Sequence, residues 1–270
     1  MTLLNSTKKY CVVVPLYKEE ITLEEELSLK QLVKIVKSAD IYLVYPKGMS
    51  TEVYYQATDF YPFKTIELAA KHFSSTHEYS RLLESPMFYN KFKKYEYLMI
   101  YQTDCWIFED KLEYFADMGY DYYGSPWIVE NKNHIGNGGF CMRKVSKFIE
   151  FTTEHKGEFY PIEDRYFCEM YQNEFNLCPY EVGCEFGLCN HAWYDQLGEL
   201  NKGTMKCPMG MHKMLDERIA QYFFKQLDAE TANKFPAQYD KYKGFSNKVD
   251  NFKKSVMKNY DAISAILKNI

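Results

Sequence analysis

An acidic side chain follows an apolar segment near the middle of the sequence. Tyr97–Tyr101 is a continuous apolar run, and the neutral residues Gln102 and Thr103 separate it from Asp104. A carboxylate in this position must be paired or metal-bound, because an isolated buried charge is strongly unfavourable. Mg²⁺ binds one or two carboxylates together with substrate phosphates. Asp104 is therefore a candidate ligand for Mg²⁺ or Mn²⁺, and a helix N-cap or a buried salt bridge is the structural alternative.

Two adjacent acids, Glu163 and Asp164, open a helix that the sequence predicts over 162–175, directly after Pro161. Acidic residues in a first turn stabilise the helix dipole, which is the structural interpretation. In an enzyme, one acid would accept a proton from a substrate hydroxyl while the other holds that substrate. The sequence leaves both interpretations open.

A glycine-rich loop, Gly136–Gly139, has no side chain at three of its four positions. Glycine permits a positive φ and lets a ligand approach the backbone closely. The loop lacks the Gly-x-Gly-x-x-Gly spacing of dinucleotide-binding folds, and no Gly-Lys-Ser/Thr phosphate-binding motif occurs in the sequence. A ligand-binding loop and a tight turn are both consistent with this pattern.

His212 is the last residue of the segment Cys207–His212, where it follows a predicted turn. A neutral imidazole is the commonest protein ligand for metal ions. A lone histidine can equally have a structural role, so both possibilities remain.

The elements that must position these residues alternate between strand and helix. Tyr10–Pro15 is a β-branched run typical of a buried parallel strand, and Thr22 and Glu25 form a capping box before an amphipathic helix. The remaining predicted elements are strands at Ile41–Tyr45 and Tyr97–Tyr101 and a helical segment at 75–92 that Pro86 interrupts. This alternation predicts an open α/β sheet with ligands bound beyond the carboxyl ends of its strands.

The C-terminal part has a different pattern, and we predict one domain over 1–215 with a helical extension over 216–270 packed on it. Apolar residues from Val249 to Leu267 recur on one helical stripe, accompanied by Lys248, Lys253, Lys254, Lys258 and Lys268. Such a helix can contact an anionic membrane surface, pack on its own domain or form a homodimer.

The overall composition is that of an ordinary globular protein. The 270 residues are 46% hydrophobic and 26% charged, with a formal net charge of −4, which excludes a disordered chain and argues against a nucleic-acid-binding protein. No apolar run is long enough for a transmembrane helix, and the N-terminus does not resemble a signal peptide, so we predict a cytoplasmic protein. Aromatic residues make up 17%, which fits either a carbohydrate-binding cleft or a tyrosine-rich core.

Short motifs in this sequence resemble those of nucleotide-sugar glycosyltransferases of the GT-A type, over roughly residues 10–215. They look still more like those of an uncharacterised glycosyltransferase-like family of bacteria and eukaryotes. The motifs are Val13–Tyr17, Tyr101–Asp104, Asp121–Trp127, Gly136–Phe140, Glu163–Asp164 and Pro208–His212. The resemblance implies a GT-A-like, Rossmann-like open mixed sheet flanked by helices.

The resemblance also implies roles for particular residues. In GT-A enzymes a short acidic motif binds a divalent metal, Mn²⁺ or Mg²⁺, that bridges the donor diphosphate, and a late histidine often completes the metal shell. Asp104 and His212 match these ligands, whereas Gln102 replaces the usual first acid. The residues implied to bind the donor are Pro15, Leu16, Tyr17, Glu19, Arg81, Gln102, Thr103 and Asp104. Those implied to line the sugar and acceptor pocket are Trp127, Asn137, Gly138 and Gly139.

In such an enzyme the acid pair would be catalytic, with Asp164 favoured over Glu163 as the base and inversion as the expected outcome. The implied function is sugar transfer from a nucleotide-diphosphate sugar, with UDP-sugars favoured, to a glycan or glycolipid in bacterial surface polysaccharide assembly. Such enzymes often work at the inner face of the membrane, which would give the lysine-rich helix a purpose. Two alternatives remain: a sugar-binding or scaffold protein on the same fold, and a metal-dependent nucleotidyltransferase or phosphohydrolase, which normally clusters two or more acids at strand ends.

Overall fold

The computed structural model describes residues 8–129, 132–188, 208–217 and 219–243. The chain divides into two compact units between Lys213 and Met214. Within the described ranges, no helix is both long and apolar enough to cross a membrane. The lysine-rich segment 246–270, predicted to be helical, lies outside the described residues.

The first unit is built on a mixed central sheet. Its described strands are β1 (Tyr10–Pro15), β2 (Ala39–Pro46), β3 (Lys64–Leu68), β4 (Tyr97–Tyr101), β5 (Trp106–Ile107), β6 (Tyr122–Gly124), β7 (Pro126–Val129), β8 (Lys132–Ile135), β9 (Phe140–Lys144), β10 (Gly187–Leu188) and β11 (Gly210–Met211). The six-stranded central sheet has the order β3-β2-β1-β4-β9-β6, and smaller sheets have the orders β10-β11-β5 and β7-β8. Strands β1 to β4 pair in parallel, whereas β9 is antiparallel to both of its neighbours. The predicted open mixed α/β sheet is confirmed.

The helices of this unit connect or follow the strands. They are α1 (Leu23–Ile35), α2 (Glu52–Ala57), α3 (Thr76–Leu83), α4 (Pro86–Asn90), α5 (Leu112–Asp117), α6 (Val145–Glu154), α7 (Glu163–Arg165) and α8 (Tyr180–Phe186). The predicted capping box is present at the start of α1, where the side chain of Thr22 accepts the backbone N–H of Glu25 and the Glu25 carboxylate accepts that of Thr22. The predicted interruption at Pro86 is also present, because this proline begins α4 after a break of two residues.

The core lies around the middle of the sheet. Val12 on β1 is opposite Ile41 on β2 and Met99 on β4, and all three side chains are buried. Much of the high aromatic content is also internal, since the fully buried large side chains include Tyr54, Tyr89, Tyr97, Tyr101, Tyr122 and Tyr123. The tyrosine-rich core therefore accounts for a large share of these residues.

The helix predicted over 162–175 is only partly correct. Regular α-helix ends at Arg165, and the chain continues as a π-helix over Tyr166–Met170 and a 3₁₀ turn over Gln172–Glu174. The wider π turn allows consecutive aromatic rings to be buried: the ring centroids of Tyr166 and Phe167 lie 5.7 and 5.8 Å from that of Phe151. Aromatic packing thus overrides the simple helical pattern.

Strand β9 brings the glycine loop to the end of β4. Phe140 pairs with Tyr101, and the backbone N–H of Gln102 donates to the carbonyl of Gly139 at 2.9 Å. The glycine loop and the segment around Asp104 are therefore neighbours at one edge of the sheet. This edge holds the carboxyl ends of β1 and β4, where ligands bind in open α/β folds.

The second unit contains two short described helices, α9 (Ala220–Phe224) and α10 (Ala229–Asn233). Asp228 caps α10 by accepting the backbone N–H of Thr231 at 2.7 Å. The rings of Phe224 and Phe235 pack edge to face, with centroids 5.2 Å apart. These contacts provide the unit with a small aromatic cluster.

Candidate active site

A cavity of about 510 Å³ opens at the carboxyl ends of β1 and β4. This volume lies within the range of small-molecule sites. Its described lining comes from four segments: Pro15 and Tyr17 after β1, Glu25 on α1, the residues Phe73, Ser74, Ser75, Thr76 and Tyr79 at the start of α3, and Gln102, Thr103 and Asp104 after β4. The cavity therefore lies at the strand ends that the alternating sequence pattern indicated.

The structure places the predicted donor-binding residues in two groups. Pro15, Tyr17, Gln102, Thr103 and Asp104 line the cavity together. The described lining does not include the other three. Leu16 is buried, the Glu19 carboxylate accepts the backbone N–H of Ser50 at 2.8 Å, and the Arg81 guanidinium stacks on the ring of Phe159 at 3.8 Å.

Glu25 was predicted only as a helix cap, yet its carboxylate also lines the cavity. One oxygen accepts the hydroxyl of Thr103 at 2.9 Å, and the other pairs with the ammonium of Lys18 at 2.8 Å. Burial acts to raise the pKa of Glu25, but the hydrogen bonds from Lys18, Thr22 and Thr103 outweigh it and lower this pKa. The capping box was the only signal in the sequence that pointed to this residue.

Residues 73–79 at the start of α3 were also missed as cavity residues. They contribute the side chains of Phe73 and Tyr79 and the hydroxyl-bearing residues between them. Ser75 is the N-cap of α3 and accepts the backbone N–H of Glu78. The sequence predicts a helix here but contains no motif that assigns its first turn to a ligand.

Asp104 and His212 are brought together by an antiparallel pair of short strands. Trp106 on β5 pairs with Met211 on β11, so the residues flanking this pair lie close to each other. Nε2 of His212 is 3.3 Å from Oδ1 of Asp104 and 3.2 Å from Oε1 of Gln102. Burial acts to raise the pKa of Asp104, whereas the hydrogen bond and charge of His212 lower it, and the lowering dominates.

The arrangement around His212 is compatible with a divalent cation. Adjacent ligands of Mg²⁺ at about 2.1 Å are about 3.0 Å apart, close to the separations of the imidazole, carboxylate and amide atoms. Gly139 leaves this space open, since a Cβ there would lie 2.4 Å from Nε2 of His212 and 2.7 Å from Oε1 of Gln102. The thiol of Cys105 is nearby, and the ligand atoms of Asp104, Cys105 and His212 lie within 4.8 Å of one another. Asp104, His212 and Gln102 could therefore hold Mg²⁺ or Mn²⁺.

Asn137 shapes the glycine loop from within. It has a φ of 69°, and its side-chain oxygen accepts the backbone N–H groups of Gly139 and Phe140, each at 3.1 Å. The residue is buried, so its side-chain oxygen stabilises the turn. The side chain of Trp127, the other residue predicted at the sugar pocket, lies outside the described part of the structure.

The two acids of α7 contact the same loop. Oδ2 of Asp164 accepts the backbone N–H of Gly138 at 2.9 Å, and Oδ1 accepts that of Arg165 at 2.8 Å. Burial and, after it, the negative charge of Glu163 raise the pKa of Asp164 to about 6. The Glu163 carboxylate pairs with the buried guanidinium of Arg143 at 3.1 Å.

Gly138 and Gly139 connect the acid pair to the candidate metal ligands. A Cβ on Gly138 would lie 2.1 Å from the Glu163 carboxylate, whereas one on Gly139 would meet His212. Consecutive Cα atoms are about 3.8 Å apart. The acid pair therefore contacts one glycine and the candidate metal ligand His212 contacts the next. This places both groups along one short backbone segment, which is a suitable arrangement for metal-assisted group transfer.

Several solved structures of glycosyltransferases are similar to this chain. Galactosyltransferase LgtC, solved with donor and acceptor sugar analogues, superposes with a TM-score of 0.51 at 11% identity, covering 86% of this chain and 99% of that chain. Core-mannan synthase A from Aspergillus fumigatus, in an Mn/GDP form, has a TM-score of 0.44 at 11% identity over 57% of this chain and 64% of its own. The glycosyltransferase GlyE of Streptococcus pneumoniae has a TM-score of 0.47 at 14% identity over 76% of this chain and 54% of its own. This chain thus spans less than two thirds of the length of the last two proteins.

The chain has the GT-A glycosyltransferase fold, as its motifs predicted. It belongs to the DUF5672 family, described as proteins of unknown function, whose model matches residues 62–212. The matched region contains the Asp104 segment, the glycine loop, the acid pair and His212. No curated protein matches the sequence.

Proposed function

We propose that the protein is a glycosyltransferase that moves a sugar from a nucleotide-diphosphate sugar to a hydroxyl of a glycan or glycolipid. The observation on which this proposal depends is the position of Gly138 and Gly139, which contact the acid pair on one side and His212 on the other. The donor would occupy the cavity with its diphosphate at Asp104, and its sugar would extend along these glycines toward Asp164. A UDP-sugar is the favoured donor.

The charge of the cavity supports a role for a divalent cation. Among its described lining residues, Glu25 and Asp104 are acidic and none is a lysine or arginine. The Glu25 carboxylate is paired with Lys18, so the carboxylate of Asp104 is the group that would repel a diphosphate unless a cation neutralised it. Asp104 and His212, with the amide oxygen of Gln102, would hold Mn²⁺ or Mg²⁺. Such an ion would stabilise the charge that develops on the departing diphosphate.

Asp164 is the residue best suited to act as the base. Its pKa of about 6 leaves it ionised at neutral pH while keeping it a better proton acceptor than an ordinary aspartate. It would take the proton of the acceptor hydroxyl as that oxygen bonds to the anomeric carbon. The bond from this carbon to the diphosphate breaks, and its electron pair leaves with the phosphate oxygen. Attack from the face opposite the leaving group inverts the anomeric configuration.

The setting of the reaction is proposed from sequence. Lysines of the segment 246–270 would contact an anionic membrane surface and place the enzyme beside a lipid-linked acceptor, as in bacterial surface polysaccharide assembly. Deleting 246–270 should reduce the membrane-bound fraction in a lysate. Unchanged partitioning would show that this segment does not mediate membrane contact.

A ligand screen tests the proposal. We expect one of the UDP, GDP, CMP or dTDP sugars to raise the melting temperature in the presence of Mn²⁺, since a ligand that binds only the folded state stabilises it. Asp104→Asn should abolish this shift, whereas Asp117→Asn, on an exposed position of α5, should leave it intact. On addition of acceptor, the sugar should be transferred to the acceptor hydroxyl and the nucleotide released as a nucleoside diphosphate.

The alternatives give different results in the same screen. A sugar-binding protein would show a shift without any nucleotide product. A nucleotidyltransferase would transfer the nucleoside monophosphate and leave a sugar 1-phosphate, rather than releasing a nucleoside diphosphate. A rise in melting temperature that needs no metal would agree with a transferase but contradict the role of Asp104 as a metal ligand. The absence of a shift with every nucleotide sugar would contradict the proposed function.

A further inference from the structure

A fully buried charge lies behind the glycine loop. Arg143 on β9 has no exposed surface, and its guanidinium donates to the hydroxyl of Tyr89 at 2.8 Å and to the Glu163 carboxylate at 3.1 Å. The rings of Tyr122, Phe148 and Phe167 surround it at 5.3 to 5.5 Å. Burying such a charge is unfavourable unless it is paired, and Glu163 is its carboxylate partner.

The same carboxylate packs against the glycine loop. The Glu163 oxygen that accepts from Arg143 lies only 2.1 Å from the position that a Cβ on Gly138 would take. A side chain at residue 138 would therefore clash with this carboxylate. The side chain of Glu163 is only 10% exposed, and its other oxygen faces the hydroxyl of Ser80 at 3.5 Å. Glu163 therefore has little surface from which to meet an acceptor.

Asp164 holds the other side of the same glycine. Its Oδ2 atom accepts the backbone N–H of Gly138 at 2.9 Å. Gly138 is thus fixed by both acids, one through packing and one through a hydrogen bond. A shift of Glu163 would displace Gly138 and, through this hydrogen bond, the carboxylate of Asp164.

We propose that Glu163 is a positioning residue and not the proton acceptor: paired with Arg143, it fixes Gly138 and thereby the carboxylate of Asp164. This inference rests on the proposed function, in which Asp164 is the base. It gives Glu163 a task distinct from that of Asp164, whereas the resemblance implied that both neighbouring acids were catalytic. It also gives Arg143, which no motif singled out, a role in the reaction.

The surroundings of Asp164 make this assignment testable by pH. The groups that interact electrostatically with Asp164 are the carboxylate of Glu163, the guanidinium groups of Arg143 and Arg165, the thiol of Cys168 and the hydroxyl of Tyr122. Burial is the main reason that the pKa of Asp164 is raised, and the negative charge of Glu163 is the next. Removing that charge without changing the shape of the side chain should lower this pKa.

The decisive variant is Glu163→Gln, whose amide oxygen can still accept from Arg143. We expect the acid limb of the pH–rate profile for donor turnover to move to lower pH, with the KM of the donor unchanged. The kcat should fall far less than in Asp164→Asn, where loss of a general base predicts a decrease of about 10²- to 10⁴-fold. An unmoved acid limb together with a loss as large as that of Asp164→Asn would overturn the proposal.

A second variant, Glu163→Asp, separates charge from packing. It keeps the negative charge near Arg143 but withdraws the carboxylate from Gly138 by one methylene. We expect kcat to fall while the acid limb of the pH–rate profile stays in place. Glu163→Asp also provides the test if Glu163→Gln does not fold. Full wild-type kcat in Glu163→Asp would contradict the positioning role.

A spectroscopic measurement distinguishes failure of this inference from failure of the proposed function. The ¹³C carboxyl titration of Asp164, assigned by its absence in Asp164→Asn, should have a lower midpoint in Glu163→Gln than in the wild type. This holds whether or not any nucleotide sugar is turned over. An unchanged midpoint would overturn the inference, whereas a shifted midpoint in a protein without transferase activity would overturn only the proposed function.

Discussion

Nε2 of His212 lies 3.3 Å from Oδ1 of Asp104, although the two residues belong to distant parts of the sequence. The contact exists because β11 pairs with β5, placing the residue after one strand beside the residues before the other. The backbone N–H of His212 also donates to the carbonyl of Leu188 on β10 at 3.0 Å, which fixes the histidine from its other side. A short sheet therefore holds the candidate metal ligands in place.

Replacing the histidine should weaken metal binding. We expect His212→Ala to lower the affinity for Mn²⁺ at least about tenfold, because loss of a ligand leaves Asp104 with fewer partners for the ion. Isothermal titration calorimetry with Mn²⁺ measures this directly. His155→Ala is the matched control, since His155 belongs to another group of possible ligands with Glu154 and Glu174. Loss of Mn²⁺ binding in His155→Ala but not in His212→Ala would place the metal at Glu154, His155 and Glu174 instead.

A methyl group at Gly139 should damage the same site. The added Cβ of Gly139→Ala would lie 2.4 Å from Nε2 of His212, so the imidazole must move. We expect the nucleotide-dependent rise in melting temperature to fall while the circular dichroism of the sheet is retained. In a His212→Ala background the same substitution should have a smaller effect, because the imidazole that it displaces is gone and only the contact with Oε1 of Gln102, at 2.7 Å, remains. Additive losses in the double variant would contradict this explanation.

Much of the fold could be predicted from the sequence because the strong signals are local. The apolar strands β1 and β4, the capping box at Thr22 and the break at Pro86 each depend on neighbouring residues. The helix after Pro161 was predicted less well. Its π turn depends on aromatic contacts with α6, which a helical period cannot reveal.

The candidate site was predictable as a set of residues but not as a set of contacts. Motif order selected Asp104, the glycine loop, Asp164 and His212, and the structure brings these together. The cavity wall from α3 and the second role of Glu25 were missed, because hydroxyl groups in a first helical turn also serve ordinary capping. The buried pair of Arg143 and Glu163 was missed because long-range ion pairs leave no periodic signal in a sequence.

Glu25 should stabilise the protein in a manner that depends on pH. Its folded-state pKa is lowered, so its contribution is present above the unfolded pKa and is lost as the pH falls through the folded value. Glu25→Gln should therefore lower the free energy of unfolding by about 1.5–3 kcal/mol at pH 7, the range for a hydrogen-bonded charge. Urea unfolding at pH 7 and pH 3 measures the difference, which should shrink at the lower pH. Glu24→Gln, one residue away on α1, is the control and should show little change at either pH.

Glu84 should have the opposite pH dependence. Burial raises its pKa to about 7, and one carboxylate oxygen has no hydrogen-bond partner among the described residues. The other oxygen accepts the backbone N–H of Tyr160 at 3.1 Å, which lowers this pKa but does not outweigh burial. The folded state therefore favours the protonated form, and the stability that Glu84 contributes is lost as the pH rises from the unfolded pKa to about 7. The loss approaches about 3 kcal/mol above this range.

Glu84→Gln removes the titration while nearly preserving the side-chain shape. We expect the variant to be more stable than the wild type at pH 8 and close to it at pH 5, as measured by urea unfolding at both values. Glu113→Gln, on an exposed position of α5, provides the control, and its stability relative to the wild type should not change between these pH values. The same change in unfolding free energy at pH 5 and pH 8 would show that Glu84 is ionised in the folded state at both values. The buried carboxylate would then be stabilised by another group rather than by protonation.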